Sequence, residues 1–340
     1  MYELLDNWIS PWFNESIGLY FFSLSLCMLI GLYLLIKGGD WLSDHSSNLA
    51  GLIGIPPVVI GLTIVSIATS SPELFTSISA LRSDSPGLIL GNIIGSNIAN
   101  VGLILGIALL LGTIPTKDAV SSTQRLCLVS VTLLFCAFLY LTPNQEIGLL
   151  AGLLLLGFIL SYIFVITLHA LGKKQRSMER EKLEAFNTSN IPLGLSMIML
   201  IISTASLWVG ADSLVYGSKN LAQLAGVPEE LIGFTLLAIG TSLPELAASI
   251  SLLRKGETSM LLGNIVGSNL FNISLIGGLA GLMGPVRNGS PNPWIDYLFL
   301  LIITFLFTFW LKGKTLNKKE GILLLLIYSG ACGSTWVLNS

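Results

Sequence analysis

Long apolar runs, each cut off by a short polar or glycine-rich stretch, recur along this chain from Leu19 to Leu338. Crossing about 30 Å of hydrocarbon at 1.5 Å per residue takes about 20 residues in a helix. About ten stretches meet that length, near 19–37, 57–81, 87–112, 125–142, 147–170, 192–210, 229–253, 259–284, 293–311 and 320–338, with the charges gathered between them. The pattern predicts an all-α membrane protein of about ten transmembrane helices.

Slid against itself by 172 residues, the chain matches without a gap from Gly38 to Gly106, where 35 of 69 positions are identical. GGDWL at 38–42 meets GADSL at 210–214, and NLAGLIGIP at 48–56 meets NLAQLAGVP at 220–228. The match peaks where TIVSIATSSPELFTSIS (63–79) meets TLLAIGTSLPELAASIS (235–251), and where GNIIGSNIAN (91–100) meets GNIVGSNLFN (263–272). Five spans precede the hydrophilic stretch Lys173–Asn190 and five follow it, so equivalent spans run in opposite directions. The reading divides the chain into a first five-helix repeat (1–172, most alike at 61–106), a connecting loop (173–190) and a second inverted-topology repeat (191–340, most alike at 233–278). Inverted repeats are a common architecture of secondary transporters, with the substrate site near the bilayer midplane where the repeats meet.

Composition agrees with a lipid solvent: 53% of the 340 residues are hydrophobic and 11% are charged, against about 25% charged in a soluble domain. The net charge is −2 and no basic tract suits nucleic acid. Cytoplasmic loops collect Lys and Arg. With the amino terminus outside, 14 of the 17 basic residues fall on the inner side and only Arg82, Lys219 and Arg287 on the outer. The expected placement is therefore a multi-pass protein of the cell (inner) membrane, both termini outside and Lys173–Asn190 in the cytoplasm. Met1–Ser16 has Glu3, Asp6 and Glu15 but no basic residue, unlike a secretory signal. Cys27, Cys127, Cys136 and Cys332 lie within spans and read as small core residues, and His45 and His169 share no ligand spacing.

Glu73 and Glu245 are repeat equivalents inside apolar spans. A carboxylate at that depth costs several kcal/mol unless it is paired, hydrated or liganded, and so marks a functional site. Each follows a proline, Pro72 or Pro244, which cannot donate to the carbonyl four residues back, Ala68 or Gly240. Non-helical backbone at membrane depth is tolerated where it lines a polar cavity. Positions three or four apart share a helix face, so Ser66, Thr69, Ser70, Glu73 and Ser77 form one oxygen-rich stripe, answered by Thr241, Ser242, Glu245 and Ser249. In the next span Asn92, Ser96 and Asn100 align, as do Asn264, Ser268 and Asn272. Hard oxygens without thiolate or imidazole suit Na⁺ and Ca²⁺ rather than zinc or copper. Gly91 with Gly95, and Gly263 with Gly267, add the spacing that lets helices approach closely.

These paired blocks, TSSPE with GNIIGSNIAN and TSLPE with GNIVGSNLFN, resemble the alpha repeats of the cation/Ca²⁺ exchangers, in particular the prokaryotic sodium/calcium exchanger branch. The resemblance implies an antiporter with a midplane site of one central Ca²⁺ position and flanking Na⁺ positions, and two long peripheral helices sliding across a rigid core. It implies Glu73 and Glu245 as shared carboxylates and the Thr69 and Thr241 carbonyls as Ca²⁺ ligands. Ser70, Ser96, Ser242 and Ser268, with the backbone at Ser66 and Ala238, would serve Na⁺. Asn100 and Asn272 are amides where some family members carry an aspartate, which removes a possible third carboxylate.

Ca²⁺/H⁺ exchange and K⁺-dependent Na⁺/Ca²⁺ exchange are the alternatives within transport, because buried carboxylates also bind protons. An intramembrane enzyme using the glutamates as acid and base is the alternative of another class, but no Ser/His, Cys/His or His/Glu constellation accompanies them. Na⁺ and Ca²⁺ are the expected cargo, the bilayer is the expected surrounding, and no cofactor is implied. One chain holds both repeats, so a monomer suffices for transport, and the oligomeric state stays open.

Overall fold

In hydrocarbon each backbone N–H and C=O must be bonded within the protein, which for a chain of this composition means helices. The computed structural model describes residues 2–11, 16–82, 86–142, 146–178, 191–224, 238–287 and 293–339. In chain order the helices are α1 (Tyr2–Ile9), α2 (Ile17–Ile53), α3 (Pro57–Thr69), α4 (Ser71–Arg82), α5 (86–111), α6 (Ser122–Leu141) and α7 (Leu149–Met178), then α8 (Leu193–Leu224), α9 (Ala238–Thr241), α10 (Leu243–Arg254), α11 (Thr258–Met283), α12 (Pro293–Trp310) and α13 (Lys318–Asn339). Among the described residues seven helices are long and apolar enough to cross a membrane, and α3 with α4, bent by 41° at their junction, makes an eighth. Of the two remaining predicted spans, the one near 229–253 lies partly outside the described residues and the one near 320–338 coincides with α13.

The predicted first span stops at Lys37, whereas α2 continues to Ile53, a helix of 37 residues and about 55 Å. Gly38 and Gly39 do not break it, because each is used for packing. A Cβ on Gly38 would stand 3.1 Å from the Ser203 carbonyl oxygen of α8, and one on Gly39 would stand 2.8 Å from the Ala247 carbonyl oxygen of α10. The helix ends only at Gly54, whose φ of 69° takes the left-handed cap conformation. α7 likewise runs past the predicted span through Lys173, Lys174 and Arg176 to Met178, a charged helix end. The rest of the predicted loop, 179–190, lies outside the described residues.

α2 and α8 cross as an antiparallel pair. Tyr20 Oη donates to Asn220 Oδ1 at 3.0 Å, Cys27 Sγ to the Ser213 carbonyl at 3.4 Å, and Gly31 lies against Gly210. Close contacts recur in couples: Gly31 with Gly210 and Ser203 with Gly38 are related by the 172-residue offset, and Gly106 with Gly321 is matched by Gly278 with Gly152, where Gly321 stands 169 residues after Gly152. α5 and α11 are the inner helices, buried over most of their apolar length, whereas α2 and α8 are largely exposed. The outer helices turn Phe21, Phe22, Leu29 and Ile201 outward, where a bilayer would cover them.

Two features had no counterpart in the sequence reading. α1 lies across the ends of α2 and α8, where Tyr216 Oη donates to Asp6 Oδ1 at 3.0 Å and Ile9 packs with Tyr20, Leu24 and Cys27. Four two-residue strands join loops far apart in sequence: β1 (Ile114–Pro115) pairs antiparallel with β4 (Thr315–Leu316), and β2 (Glu146–Ile147) with β3 (Val286–Arg287). An Arg287–Glu146 ion pair at 2.9 Å reinforces the second. The strands separate the two ends of the molecule. Residues 114–116 and 310–316 lie at one end, while 146–147 and 286–287 lie at the other.

Candidate functional site

The two broken helices fail at the same residue of each half. Ser70 (φ −84°, ψ 6°) separates α3 from α4, and Ser242 (φ −88°, ψ 2°) separates α9 from α10. Pro72 and Pro244 sit in the first turn of the helix that restarts, where a missing N–H costs nothing. Glu73 and Glu245 follow immediately, also in that first turn, where the unpaired N–H groups of a helix N-terminus favour negative charge. Both carboxylates are 1% exposed and within electrostatic reach of each other. The ion pairs among the described residues, Lys255–Asp44, Arg287–Glu146 and Lys314–Glu320, involve neither.

The carbonyl freed by Pro72, that of Ala68, accepts a hydrogen bond from Ser71 Oγ at 2.8 Å. Ser71 has Leu243 as its repeat partner, which carries no hydroxyl, so this particular cap is confined to the first half.

α5 and α11 press the remaining oxygens against the breaks. Both change pitch at the repeat-equivalent asparagine: π-helical turns span Asn100–Leu105 and Asn272–Ile276, and a third such turn spans Gly61–Val65 in α3. A π turn bonds five residues ahead and shifts the register of the side chains that follow, a device frequent at functional sites. Close approach is clearest on the second-half side, where a Cβ on Gly263 or Gly267 would strike the backbone of Val58 or Leu62 in α3. Gly91 and Gly95 meet nothing among the described residues.

Hydrogen bonds draw the expected residues together across the halves. Ser70 Oγ donates to Glu245 Oε1 at 3.0 Å and Thr69 Oγ1 to Asn264 Oδ1 at 3.3 Å. Asn92 Nδ2 reaches the Glu73 carbonyl at 3.2 Å and Ser77 Oγ at 3.0 Å, and Ser96 Oγ lies 3.5 Å from Asn92 Oδ1. Ser66 Oγ donates to the Thr63 carbonyl at 3.2 Å just before the break, and Ala238 opens the short helix α9.

The same environment leaves many polar atoms without a partner among the described residues. Both oxygens of Glu73, Oε2 of Glu245, the hydroxyls of Thr241, Ser242, Ser249 and Ser268, Oδ1 of Asn100 and both amide atoms of Asn272 are buried and unpaired there. An unsatisfied buried polar group costs about 1–3 kcal/mol, and a charged one more. Two carboxylates surrounded by neutral oxygens are what a hard cation would satisfy. Among the described residues no three His, Cys, Asp or Glu side chains converge, so the charge on offer is that of the two glutamates.

Comparison with known proteins points the same way. The family profile described as sodium/calcium exchanger protein matches residues 23–168 and 195–335. The chain is 33% identical over 344 residues to the sodium/calcium exchanger MaX1 of Methanosarcina acetivorans, covering 89% of this chain and 95% of that protein. It is 32% identical over 311 residues to the inner membrane protein YrbG of Escherichia coli, covering 87% and 92%. Among solved structures, the sodium-calcium exchanger NCX_Mj soaked with Na⁺ and zero Ca²⁺ superposes with a TM-score of 0.76 at 29% identity, over 92% of this chain and 98% of that one.

The two serines beside the first break should separate by measurement. Ser71→Ala should lower thermal stability by about 1 kcal/mol, the usual net worth of one hydrogen bond, and leave cation affinity unchanged because Ser71 Oγ bonds its own chain's Ala68 carbonyl and not a glutamate. Ser70→Ala should weaken cation binding, read as a loss of ion-induced thermal stabilisation, because it removes the hydroxyl that holds Glu245. Equal effects of the two substitutions on affinity would contradict this assignment.

Proposed function

The chain belongs to the sodium/calcium exchanger family, and from that premise we propose that it exchanges Na⁺ for Ca²⁺ by alternating access around a midplane site built on Glu73 and Glu245. The observation that carries the reading is the pair of buried carboxylates, each at a helix break, each with an oxygen unpaired and no basic partner among the described residues. Two negative charges balance one Ca²⁺ or two Na⁺, so either cargo neutralises the site. Emptied, it leaves two charges in a low-dielectric interior at a cost of several kcal/mol each. Reorientation without cargo is thereby suppressed, which makes the transport an exchange and not a leak.

In this reading Glu73 and Glu245, with the carbonyls of Thr69 and Thr241, hold Ca²⁺. Ser70, Ser96, Ser242 and Ser268 and the backbone at Ser66 and Ala238 serve Na⁺, with Asn100 and Asn272 beside them. The ions are cargo, and no resident cofactor is needed. The paired contacts of α2 with α8 and of α5 and α11 with their neighbours support two inverted repeats, 1–172 and 191–340, that exchange roles between states. The excess of basic residues at 312–319, on the same end as 114–116, supports placing that end and the 173–190 loop in the cytoplasm, with both termini outside in a cell membrane.

In proteoliposomes, ⁴⁵Ca²⁺ uptake should require an outward Na⁺ gradient and should not be replaced by a proton or K⁺ gradient. Uptake driven equally by protons without Na⁺ would move the protein to the Ca²⁺/H⁺ class. Glu73→Gln and Glu245→Gln should each reduce uptake by about a hundredfold or more, since each removes one of two charges from a poorly screened place. An impermeant thiol reagent should label Ser177→Cys only from the cytoplasmic face, and labelling from outside intact cells would reverse the orientation.

A further inference from the structure

Asn97 and Asn269 end the repeated GSN triplets, one residue past Ser96 and Ser268 and three before Asn100 and Asn272. Neither has a part in the site described above, yet both are 1% exposed. They are repeat equivalents with unlike bonds. Asn269 reaches from α11 to α5: Asn100 Nδ2 donates to Asn269 Oδ1 at 3.0 Å, and Asn269 Nδ2 donates to the Asn97 carbonyl at 3.4 Å. Asn97 does not reciprocate. Its Nδ2 donates to the Ile93 carbonyl of its own helix at 2.7 Å, and its Oδ1 has no partner among the described residues. Asn272, the residue that Asn97 would hold by the repeat relation, has both amide atoms unpaired among the described residues.

A side-chain amide has a donor end and an acceptor end. With Nδ2 of Asn100 held by Asn269, its Oδ1 must point away from Asn269, and that oxygen is buried and unpaired at the junction with the π turn. Released, the same amide could turn its NH₂ toward a cation and repel it. Building on the exchange function proposed above, we infer that Asn269 is a positioning residue that fixes the Asn100 amide with its oxygen toward the cargo ion, and that Asn97 does the same for Asn272 when the site opens to the opposite side.

The repeat relation gives the exchanged arrangement. Asn97 leaves the Ile93 carbonyl, accepts from Asn272 Nδ2 and donates to the Asn269 carbonyl, while Asn269 folds back to the Ile265 carbonyl. Asn269 now accepts one bond and donates one, and Asn97 donates one; after the exchange their parts are swapped. The number of bonds is the same in both states, so the bridge moves from one half to the other with no net loss of hydrogen bonding.

Sided proteoliposomes of the full chain test this with the near-isosteric Asn269→Leu and Asn97→Leu. Each should raise the half-saturating cargo concentration roughly five- to tenfold, the effect of losing about one hydrogen bond, with the maximal rate retained. Asn269→Leu should do so at one membrane face and Asn97→Leu at the other. Asn269→Thr keeps an oxygen acceptor in a smaller side chain and should fall between wild type and Asn269→Leu, which preserves the test should the leucine variant fail to fold. Equal shifts at both faces, or a lowered maximal rate with unchanged half-saturation, would overturn the positioning role. Wild-type vesicles that take up no Ca²⁺ against Na⁺ would instead overturn the exchange function, and this inference with it.

Discussion

Two carboxylates held out of water are the constraint around which this protein is organised. Glu73 and Glu245 are both 1% exposed, and neither enters the ion pairs Lys255–Asp44, Arg287–Glu146 or Lys314–Glu320. A helix that ran unbroken past them would satisfy its own backbone and offer a cation nothing but the carboxylate. The breaks at Ser70 and Ser242 alter this, because each glutamate then sits in the first turn of a new helix, facing N–H groups that favour its charge and beside polar side chains that the broken backbone aims inward. Removing either break would strand a charge with nothing to balance it.

The inner helices α5 and α11 supply what the broken helices lack. They are the most enclosed of the seven membrane-length helices among the described residues, and they change to π turns at the repeat-equivalent asparagines Asn100 and Asn272. Glycines at 263 and 267 let α11 approach α3 backbone to backbone, which brings Asn264 within reach of Thr69. α2 and α8 play a different part. They are long and largely exposed, and they join each other through glycines and a few hydrogen bonds near their ends. α2 is also tied to the broken helix α10, where Gly39 packs on the Ala247 carbonyl and Ser251 Oγ donates to Asp40 Oδ1 at 2.8 Å.

Much of this was legible in the sequence because the informative residues violate the background. A glutamate after a proline inside an apolar run is costly, and finding it again 172 residues later excludes accident. The membrane class, the exchanger family and the residues around the breaks follow from that signal. The π turns were not legible, since no residue type marks an i to i+5 bond and the asparagine at their start reads equally well on an α-helix. The capture of the Ala68 carbonyl by Ser71 was hidden for another reason: it depends on a serine rotamer, and the repeat comparison showed only that Ser71 and Leu243 differ. The extension of α2 through Gly38 and Gly39 was missed because glycine pairs and a charge look like a helix end until their packing partners on α8 and α10 are known. α1 and the two-residue strands rest on tertiary contacts that leave no local pattern.

The central claim is that two carboxylates form one shared site whose occupants compete by charge. Equilibrium ⁴⁵Ca²⁺ binding to the purified protein, titrated with Na⁺, addresses it without requiring transport. The account predicts about one Ca²⁺ bound per chain, as two carboxylates can balance, displaced by Na⁺ with a sigmoidal dependence because more than one Na⁺ must enter to restore the charge. Ca²⁺ binding that Na⁺ leaves untouched, or that survives Glu73→Gln undiminished, would contradict it.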